Sequence, residues 1–438
     1  MALGRVLGGG SSVNAMVWTR GSARDYDAWE RRGAAGWAFK DVLSTFKVQE
    51  DWEGGANEWR GVGGPVHVRK PIDPHPTAPV FLEAARQMGF AIIDDMNGPV
   101  RPGAGYINMN IGRDGVRASS ARTFLLPNLN RSNLTLILST HATRILFEGD
   151  RARGVEIVGG DVTQTVEVTR EVILAAGTIH SAKLLMLSGV GDAAELRKLG
   201  ITPAVNLPGV GKNLQDHILV SGVVYSYSGK VVDRPANSDG VEAEVYLSSG
   251  VDDNPIDIAL ILEQFPVATP EAAARCAAPP KEGFTIAPAL VQPTSRGQVR
   301  LASADWRDAP VIQPNYLGTD HDINALVKAV EAARELGRQS VFDSLRQAEM
   351  VPGSKAKGRQ DMVDFVRTAS ASFGHAVGTA KIGTDADAVV DSRLRVQGVR
   401  GLRVADASVM PSIISGPGTN APSYMIGGRA AEFIKADI

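Results

Sequence analysis

The segment that most constrains this chain lies near its C-terminus. Phe373-Gly374-His375-Ala376-Val377-Gly378-Thr379-Ala380-Lys381-Ile382-Gly383 is followed by Val404-Ala405-Asp406-Ala407-Ser408-Val409-Met410-Pro411. Glycines on both sides hold His375 in a loop, the apolar run before Asp406-Ala407 reads as a short strand, and a helix is expected to start near Asn420 and to carry Ala421 to Ile434. A histidine with an ordinary pKa near roughly 6.5 accepts a proton at neutral pH. A helix N-terminus, with unpaired N–H groups and the positive end of its dipole, stabilises an anion. The pattern therefore offers a proton acceptor and an anion site in one stretch of chain.

The other end is dense in glycine. In Gly4-Arg5-Val6-Leu7-Gly8-Gly9-Gly10-Ser11-Ser12-Val13-Asn14, Gly8 and Gly9 taken alone read as a turn, and Trp18, Gly21 and Asp27 follow. A second patterned stretch runs Gly177-Thr178-Ile179-His180-Ser181-Ala182-Lys183-Leu184-Leu185-Met186-Leu187-Ser188-Gly189-Val190-Gly191. Val210-Gly211-Lys212-Asn213-Leu214-Gln215-Asp216-His217 comes next, and Ser295-Arg296-Gly297 leads to Pro314-Asn315-Tyr316-Leu317. At these residues the chain resembles the glucose-methanol-choline family of FAD-dependent oxidoreductases, with Ala182 where proline or serine is usual. The matches follow the family's order along nearly the whole chain.

The resemblance implies a mixed α/β and α+β fold: an FAD-binding Rossmann-like domain, N-terminally incomplete, interleaved with an antiparallel-sheet substrate domain. We expect the first domain over 1–58, 128–218 and 372–438 and the second over 59–127 and 219–371. It also implies oxidation of a small-molecule alcohol to an aldehyde or ketone. The carbinol hydride leaves only if the hydroxyl proton leaves too, which is the task assigned to His375. The helix after Asn420 would face the pyrimidine edge of the flavin, which becomes anionic on reduction. Arg5, Leu7, Gly8, Gly9, Ser12, Asn14, Ala15, Met16, Val17, Ala142, Ala176, Gly177, Asp406, Ala407, Asn420 and Ala421 are the expected FAD-contacting positions. Some members carry, after the Ser-Ser pair, a histidine that bonds to the flavin; Val13 stands there, so FAD is expected to be held non-covalently.

Two departures matter. The resemblance implies a Gly-x-Gly-x-x-Gly unit ahead of Gly4, inside a strand–turn–helix that cradles the pyrophosphate. We therefore expect the chain as given to bind FAD weakly or not at all unless an upstream βαβ segment, fused or in trans, complements it; such a segment or an oligomer is the expected protein partner. Gly189-Val190-Gly191-Asp192-Ala193-Ala194 follows a helix rather than a strand and reads as a helix end and loop. The second departure is in Ser415-Gly416-Pro417-Gly418-Thr419-Asn420-Ala421-Pro422. The family places a second histidine or an asparagine here; Pro417 and Gly418 offer no side-chain hydrogen bond.

Composition narrows the rest. The 46 basic and 48 acidic residues leave a net charge of -2, so nothing draws the chain to nucleic acid or an anionic membrane. The single cysteine, Cys276, excludes an intrachain disulfide or a cysteine-rich metal site, and no apolar run reaches the roughly 18 residues of a membrane span. A cytoplasmic protein without a metal is expected.

Leu134–Ser139, Thr143–Phe147, Gly154–Val158 and Thr165–Thr169 read as an antiparallel meander, Glu171–Gly177 as a buried strand running into a helix over Ile179–Leu187, and Val220–Tyr227 and Asp257–Leu262 as substrate-domain strands. Asp322–Leu336 reads as an amphipathic helix capped by Asp322. His217 is assigned a structural role, His67 and His75 none as ligands, and His180 no role; His375 has no histidine near it in sequence. Two other readings compete: a flavin-free fragment or pseudoenzyme, and a non-redox hydroxynitrile lyase. The alcohol and the electron acceptor are not specified by these residues.

Overall fold

Ile258–Glu263 and Gly283–Leu290 are apolar on both faces, and both strands are buried almost throughout, which puts them at the centre of an eight-stranded sheet. The computed structural model describes residues 3–99, 102–229, 235, 238, 240–275, 281–354 and 356–438; Met1, Ala2 and Cys276 lie outside them. Across the sheet the strands run Arg346–Val351, Val223–Tyr227, Gly283–Leu290, Ile258–Glu263, Val241–Leu247 and Gly103–Tyr106, each antiparallel to its neighbour. Ile218–Val220 pairs with both Gly283–Leu290 and Ser370–Ser372, which ties the sheet to the loop holding His375. The strand expected over Val220–Tyr227 is thus two strands, parted at Gly222, whose φ of 38° few L residues tolerate.

One face of this sheet packs Val245, Leu260, Ile286 and Phe284 against the helices Thr77–Gln87, Asp320–Gly337 and Arg359–Ala369. The other presents Tyr246, Ala259, Ile261, Ala287 and Ala289 towards Met16, Val17 and Phe373. The Asp320–Gly337 helix starts two residues before the expected cap. Thr319 accepts the Asp322 N–H, while the Asp322 carboxylate instead binds Thr294 and Ser295.

The second apolar core gathers Trp18, Tyr26, Trp29, Trp37 and Phe46 with Val404, Val409, Ile413 and Met425. Its strands include the parallel pair Val172–Leu174 and Leu402–Val404, the first of which runs into the helix Gly177–Leu187. Gly189 turns out of that helix and Val190–Gly191 pairs with Val205–Asn206, as a helix end and loop. The meander has three strands, Thr140–Glu148, Arg151–Gly159 and Val162–Glu167, not four. Leu134–Ser139 is apolar enough for a strand but has no ladder partner among the described residues, and Ile137 and Leu138 are exposed. A buried ionic hub joins the segments: Glu50 accepts from Arg20 and, at 3.0 Å, from Arg60, whose guanidinium lies 3.8 Å from the Trp52 ring centre. Burial lowers the Arg60 pKa to about 10. Among the described residues, no helix is long and apolar enough to cross a membrane.

Candidate active site

Gln215–His217 and Phe373–Val377 run side by side as an irregular antiparallel pair. Gln215 and Val377 exchange both main-chain bonds, at 3.1 and 2.9 Å, and the Phe373 N–H reaches the His217 carbonyl at 3.1 Å. Residues 158 apart in sequence thereby meet: His217 Nδ1 lies 3.0 Å from His375 Nδ1, with the rings edge to face. His375 has no histidine near it in sequence, yet the fold supplies one, since sequence separation says nothing about partners across a ladder.

The network assigns the protons. His217 Nε2 lies 3.0 Å from the Ile414 carbonyl, which can only accept, so the proton of His217 sits on Nε2. His217 is fully buried and desolvation lowers its pKa to about 4, so it is neutral near pH 7 and offers a lone pair at Nδ1. His375 Nδ1–H donates to that lone pair. The remaining lone pair of His375 is then on Nε2, which is the ring atom able to accept a proton. Desolvation first, and the neighbouring His217 second, hold the His375 pKa well below the ordinary histidine value, so this form dominates at neutral pH.

Asp216 fixes the same loop. Its carboxylate accepts the His375 N–H at 2.7 Å, the Tyr316 hydroxyl at 2.5 Å and the Ser372 hydroxyl at 2.5 Å. Burial pushes its pKa up, and these three donors oppose the shift. The Phe373 ring lies 4.5 Å from the His375 ring and closes that flank. His217, Asp216, Tyr316 and Ser372 were not among the expected site residues, although the Asn-Leu-Gln-Asp-His and Pro-Asn-Tyr-Leu motifs contain three of them.

The expected FAD-contacting residues form three groups. In the first, Gly8 and Gly9 have φ of 84° and 53°, Ser11 Oγ donates to Gly8 O and Ser12 Oγ to Leu7 O, each at 2.6 Å. Asn14 Oδ1 accepts the Met16 N–H at 3.0 Å and Arg117 Nη1 at 2.6 Å, pinning Met16 at a left-handed φ of 62° beside exposed Ala15 and half-buried Val17. In the second, Asp406 Oδ2 accepts the Gly177 N–H at 2.9 Å and Ser181 Oγ at 2.5 Å, and the Ala407 carbonyl accepts the Gly378 N–H at 3.2 Å, so Ala176, Gly177, Asp406 and Ala407 adjoin the His375 loop. In the third, the helix Asn420–Ala436 starts as expected: Asn420 Nδ2 donates to Val17 O at 3.2 Å and Ala421 is buried behind it. Arg5 bonds His141, next to exposed Ala142, and both depress the His180 pKa after desolvation and Lys183 have done so. That places Arg5 and Ala142 near the first turn of the Gly177–Leu187 helix.

These residues fit a flavin dinucleotide. Apart from its chain neighbours and its own helix, no atom of the described residues comes within 4 Å of where a Cβ would stand on Gly9, Gly10 or Gly177, which leaves bare backbone open to a ligand. Val6, Leu7 and Val13 are exposed apolar surface in the same turn. Asn420 brings a helix N-terminus against Val17.

Fold and site thus describe a flavoprotein oxidoreductase, and the chain belongs to the GMC oxidoreductase family, whose models match residues 1–219 and 293–427. It is an FAD-dependent oxidoreductase acting on CH–OH donors. It is 39% identical to the mitochondrial choline dehydrogenase of Mus musculus, over 99% of this chain and 75% of that protein. It is also 39% identical to an oxygen-dependent choline dehydrogenase of Brucella ovis, over 98% of this chain and 81% of that one. Among solved structures, pyridoxine 4-oxidase from Mesorbium loti superposes with a TM-score of 0.93 at 30% identity, covering 99% of this chain and 85% of that one.

Proposed function

We propose that His375 is the base that takes the hydroxyl proton of a small primary alcohol of the choline type, through Nε2. The observation that carries this is the Nδ1-to-Nδ1 contact with a neutral His217 anchored on Ile414 O, which leaves His375 Nε2 unprotonated. FAD, when bound, supplies the acceptor for the carbinol hydride. As the proton arrives, His375 becomes an imidazolium whose Nδ1–H bond to His217 strengthens, because a charged donor makes the stronger hydrogen bond. Asp216 holds the loop main chain, so the ring cannot swing away. The fourteen expected residues of the first turn and of the Gly177, Asp406 and Asn420 groups, with Arg5 and Ala142, are proposed to line the cofactor. The division into an FAD-binding unit (1–58, 128–218, 372–438) and a substrate-binding unit (59–127, 219–371) is supported by how most of the buried apolar residues partition, with Val66, Val68, Ala118 and Val299 of the second span packed in the first core and Ile218 of the first span in the second. The choline-type substrate is supported by the relatives, and a reducing cytoplasmic setting by the single cysteine. The test is His375→Ala in FAD-loaded protein: anaerobic flavin reduction by alcohol falls roughly 10²- to 10⁴-fold. An unchanged rate removes His375 from the reaction.

A further inference from the structure

The loop between the strands Val241–Leu247 and Ile258–Glu263 runs Ser248-Ser249-Gly250-Val251-Asp252-Asp253-Asn254-Pro255-Ile256-Asp257 and meets the start of the Asp320–Gly337 helix. There Asp252, Asp257 and His321 converge, one ligand atom of each lying within 4.8 Å of the other two. Asp257 is 1% exposed, whereas the Asp252 and His321 side chains are 44% and 20% exposed. The cluster is therefore buried at one end and reachable from solvent at the other. Among the described residues no lysine or arginine pairs with Asp252, Asp257 or the neighbouring Asp322; the ion pairs here run to His321 alone.

Each of the three is oriented by a partner outside the cluster. Asp257 takes the Ser249 N–H on Oδ1 at 2.7 Å and the Ser249 hydroxyl on Oδ2. Asp252 Oδ1 takes the Asn254 N–H at 2.9 Å, which leaves Oδ2 turned to His321. His321 has a carboxylate oxygen on both sides: Nδ1 lies 3.3 Å from Asp322 Oδ1, and Nε2 lies 3.1 Å from Asp252 Oδ2. A neutral imidazole carries one N–H and a carboxylate only accepts, so one contact sets a lone pair against an anion unless a positive charge stands between them. Asp322 is fully buried and locked by Thr294 and Ser295, which makes it the fixed acceptor for the Nδ1 proton. The lone pair then falls on Nε2, on the side of Asp252 and Asp257. A histidine that donates from one nitrogen to a carboxylate and keeps the other bare is arranged as metal-binding histidines are.

We infer that Asp252, Asp257 and His321 bind a divalent transition-metal cation of the zinc type, with water completing its coordination. One imidazole nitrogen beside two carboxylates suits zinc and its neighbours better than magnesium or calcium, which take oxygen ligands. The distances agree. Ligands at right angles on an ion about 2.1 Å from each stand about 3.0 Å apart, close to the 3.1 Å between His321 Nε2 and Asp252 Oδ2. Two ligands of one such ion stand at most about 4.2 Å apart, so Asp252, on the exposed side, has to move by roughly 0.6 Å at most. The cation clips the loop between two sheet strands to the helix. His321 and Asp252 lie 69 residues apart, which is why no metal-ligand spacing shows in the sequence. The clip also braces the segment leading towards the histidine pair: the Asp257 carbonyl accepts the Val291 N–H at 2.8 Å, and Gln292 donates to Ile413 O at 3.0 Å.

The test uses the full chain, stripped with EDTA and dialysed, and titrated calorimetrically near neutral pH with zinc chloride and, separately, with magnesium chloride. Wild type should take up zinc at this site and no magnesium at the same concentrations, and zinc should raise the urea midpoint because it binds the folded state. His321→Ala and Asp252→Asn replace the two partly exposed ligands, where the fold has little to lose. Each should weaken zinc by more than the roughly 10- to 100-fold that loss of an outer-shell partner costs, and should remove the rise in midpoint. A wild type that takes up no zinc shows that the charge between His321 and Asp252 is a proton and the cluster an ion pair, which overturns the inference. Zinc binding that survives both substitutions places the ion elsewhere on the surface, and magnesium binding as tight as zinc removes the role of the imidazole; either result overturns it as well.

Discussion

Replacing His217 with leucine removes the acceptor of the His375 Nδ1–H bond while keeping apolar volume in a fully buried site. In the ground state the lost bond is neutral to neutral, at 3.0 Å. During reaction His375 gains a proton, and the same bond becomes one from a charged donor, worth about 1.5–3 kcal/mol. If that stabilisation is lost from the transition state, proton abstraction slows roughly 10- to 150-fold, at tenfold per 1.36 kcal/mol. The pH profile should move as well. His375 must be neutral to act, and desolvation, the largest cause, holds its pKa well below the ordinary histidine value. Wild-type reduction should therefore stay level through neutral pH and fall only well below the ordinary histidine range; because a neutral His217 accepts from the imidazolium, removing it should move that fall further down. Stopped-flow reduction of FAD-loaded protein across a pH series measures both quantities, with flavin content checked to show that the variant still binds cofactor. A His217→Leu protein that reduces at the wild-type rate with an unmoved acid limb would refute the tautomer argument.

Two further outcomes follow from buried charge. His217 is held neutral with a pKa of about 4 against roughly 6.5 in the unfolded chain, so its contribution to stability is fully present above pH 6.5 and is lost as pH falls towards 4; urea denaturation over that window should show a loss of about 3 kcal/mol that His217→Leu lacks. Glu50→Gln leaves Arg20 and Arg60 buried without their shared carboxylate and should cost about 3–5 kcal/mol in the same assay, whereas an unchanged midpoint would mean that the hub is not what compensates those charges.

Much of this was legible in residues whose function is local. The strands of the meander, the helix after Asn420 and the turn into the Gly177 helix follow from periodicity, glycine placement and cap chemistry, which act over a few residues. Leu134–Ser139 shows where that stops: its apolar run satisfies the strand pattern, but a strand exists only where a neighbour completes the ladder, and none does among the described residues. Asp322 shows a second limit. Its side chain suits a cap, yet Thr294 and Ser295 bind it first, from a segment 27 residues earlier. The site divides in the same way. His375 was legible because glycines and motif surround it, but its proton acceptor was not, because the contact joins two segments 158 residues apart and the tautomer is set by a backbone carbonyl, which carries no sequence signal.

That carbonyl connects the base to the rest of the molecule. Ile414 lies in the buried stretch Pro411–Gly418, whose shape is held from several directions. Trp29 Nε1 donates to Ser412 O at 2.9 Å, Gln215 bonds both Pro411 O and the Ile413 N–H, Gln292 donates to Ile413 O, and Asp25 takes the Ser415 N–H and hydroxyl. Desolvation raises the Asp25 pKa, and the bonds from Ser415 and Ser22 counter it, so this acid is held by the very loop it positions. The order of causes is then clear. Indole, amide and carboxylate groups fix the loop; the loop aims one carbonyl at His217; His217 keeps its Nδ1 lone pair for His375; and His375 presents Nε2. The same loop ends in Gly416 and Gly418 against Thr19, where a larger side chain would not fit without moving the Tyr246 hydroxyl's neighbour. In this chain the loop sets the proposed base through its carbonyl, and its tip packs against Thr19, whose hydroxyl lies 3.4 Å from that of Tyr246.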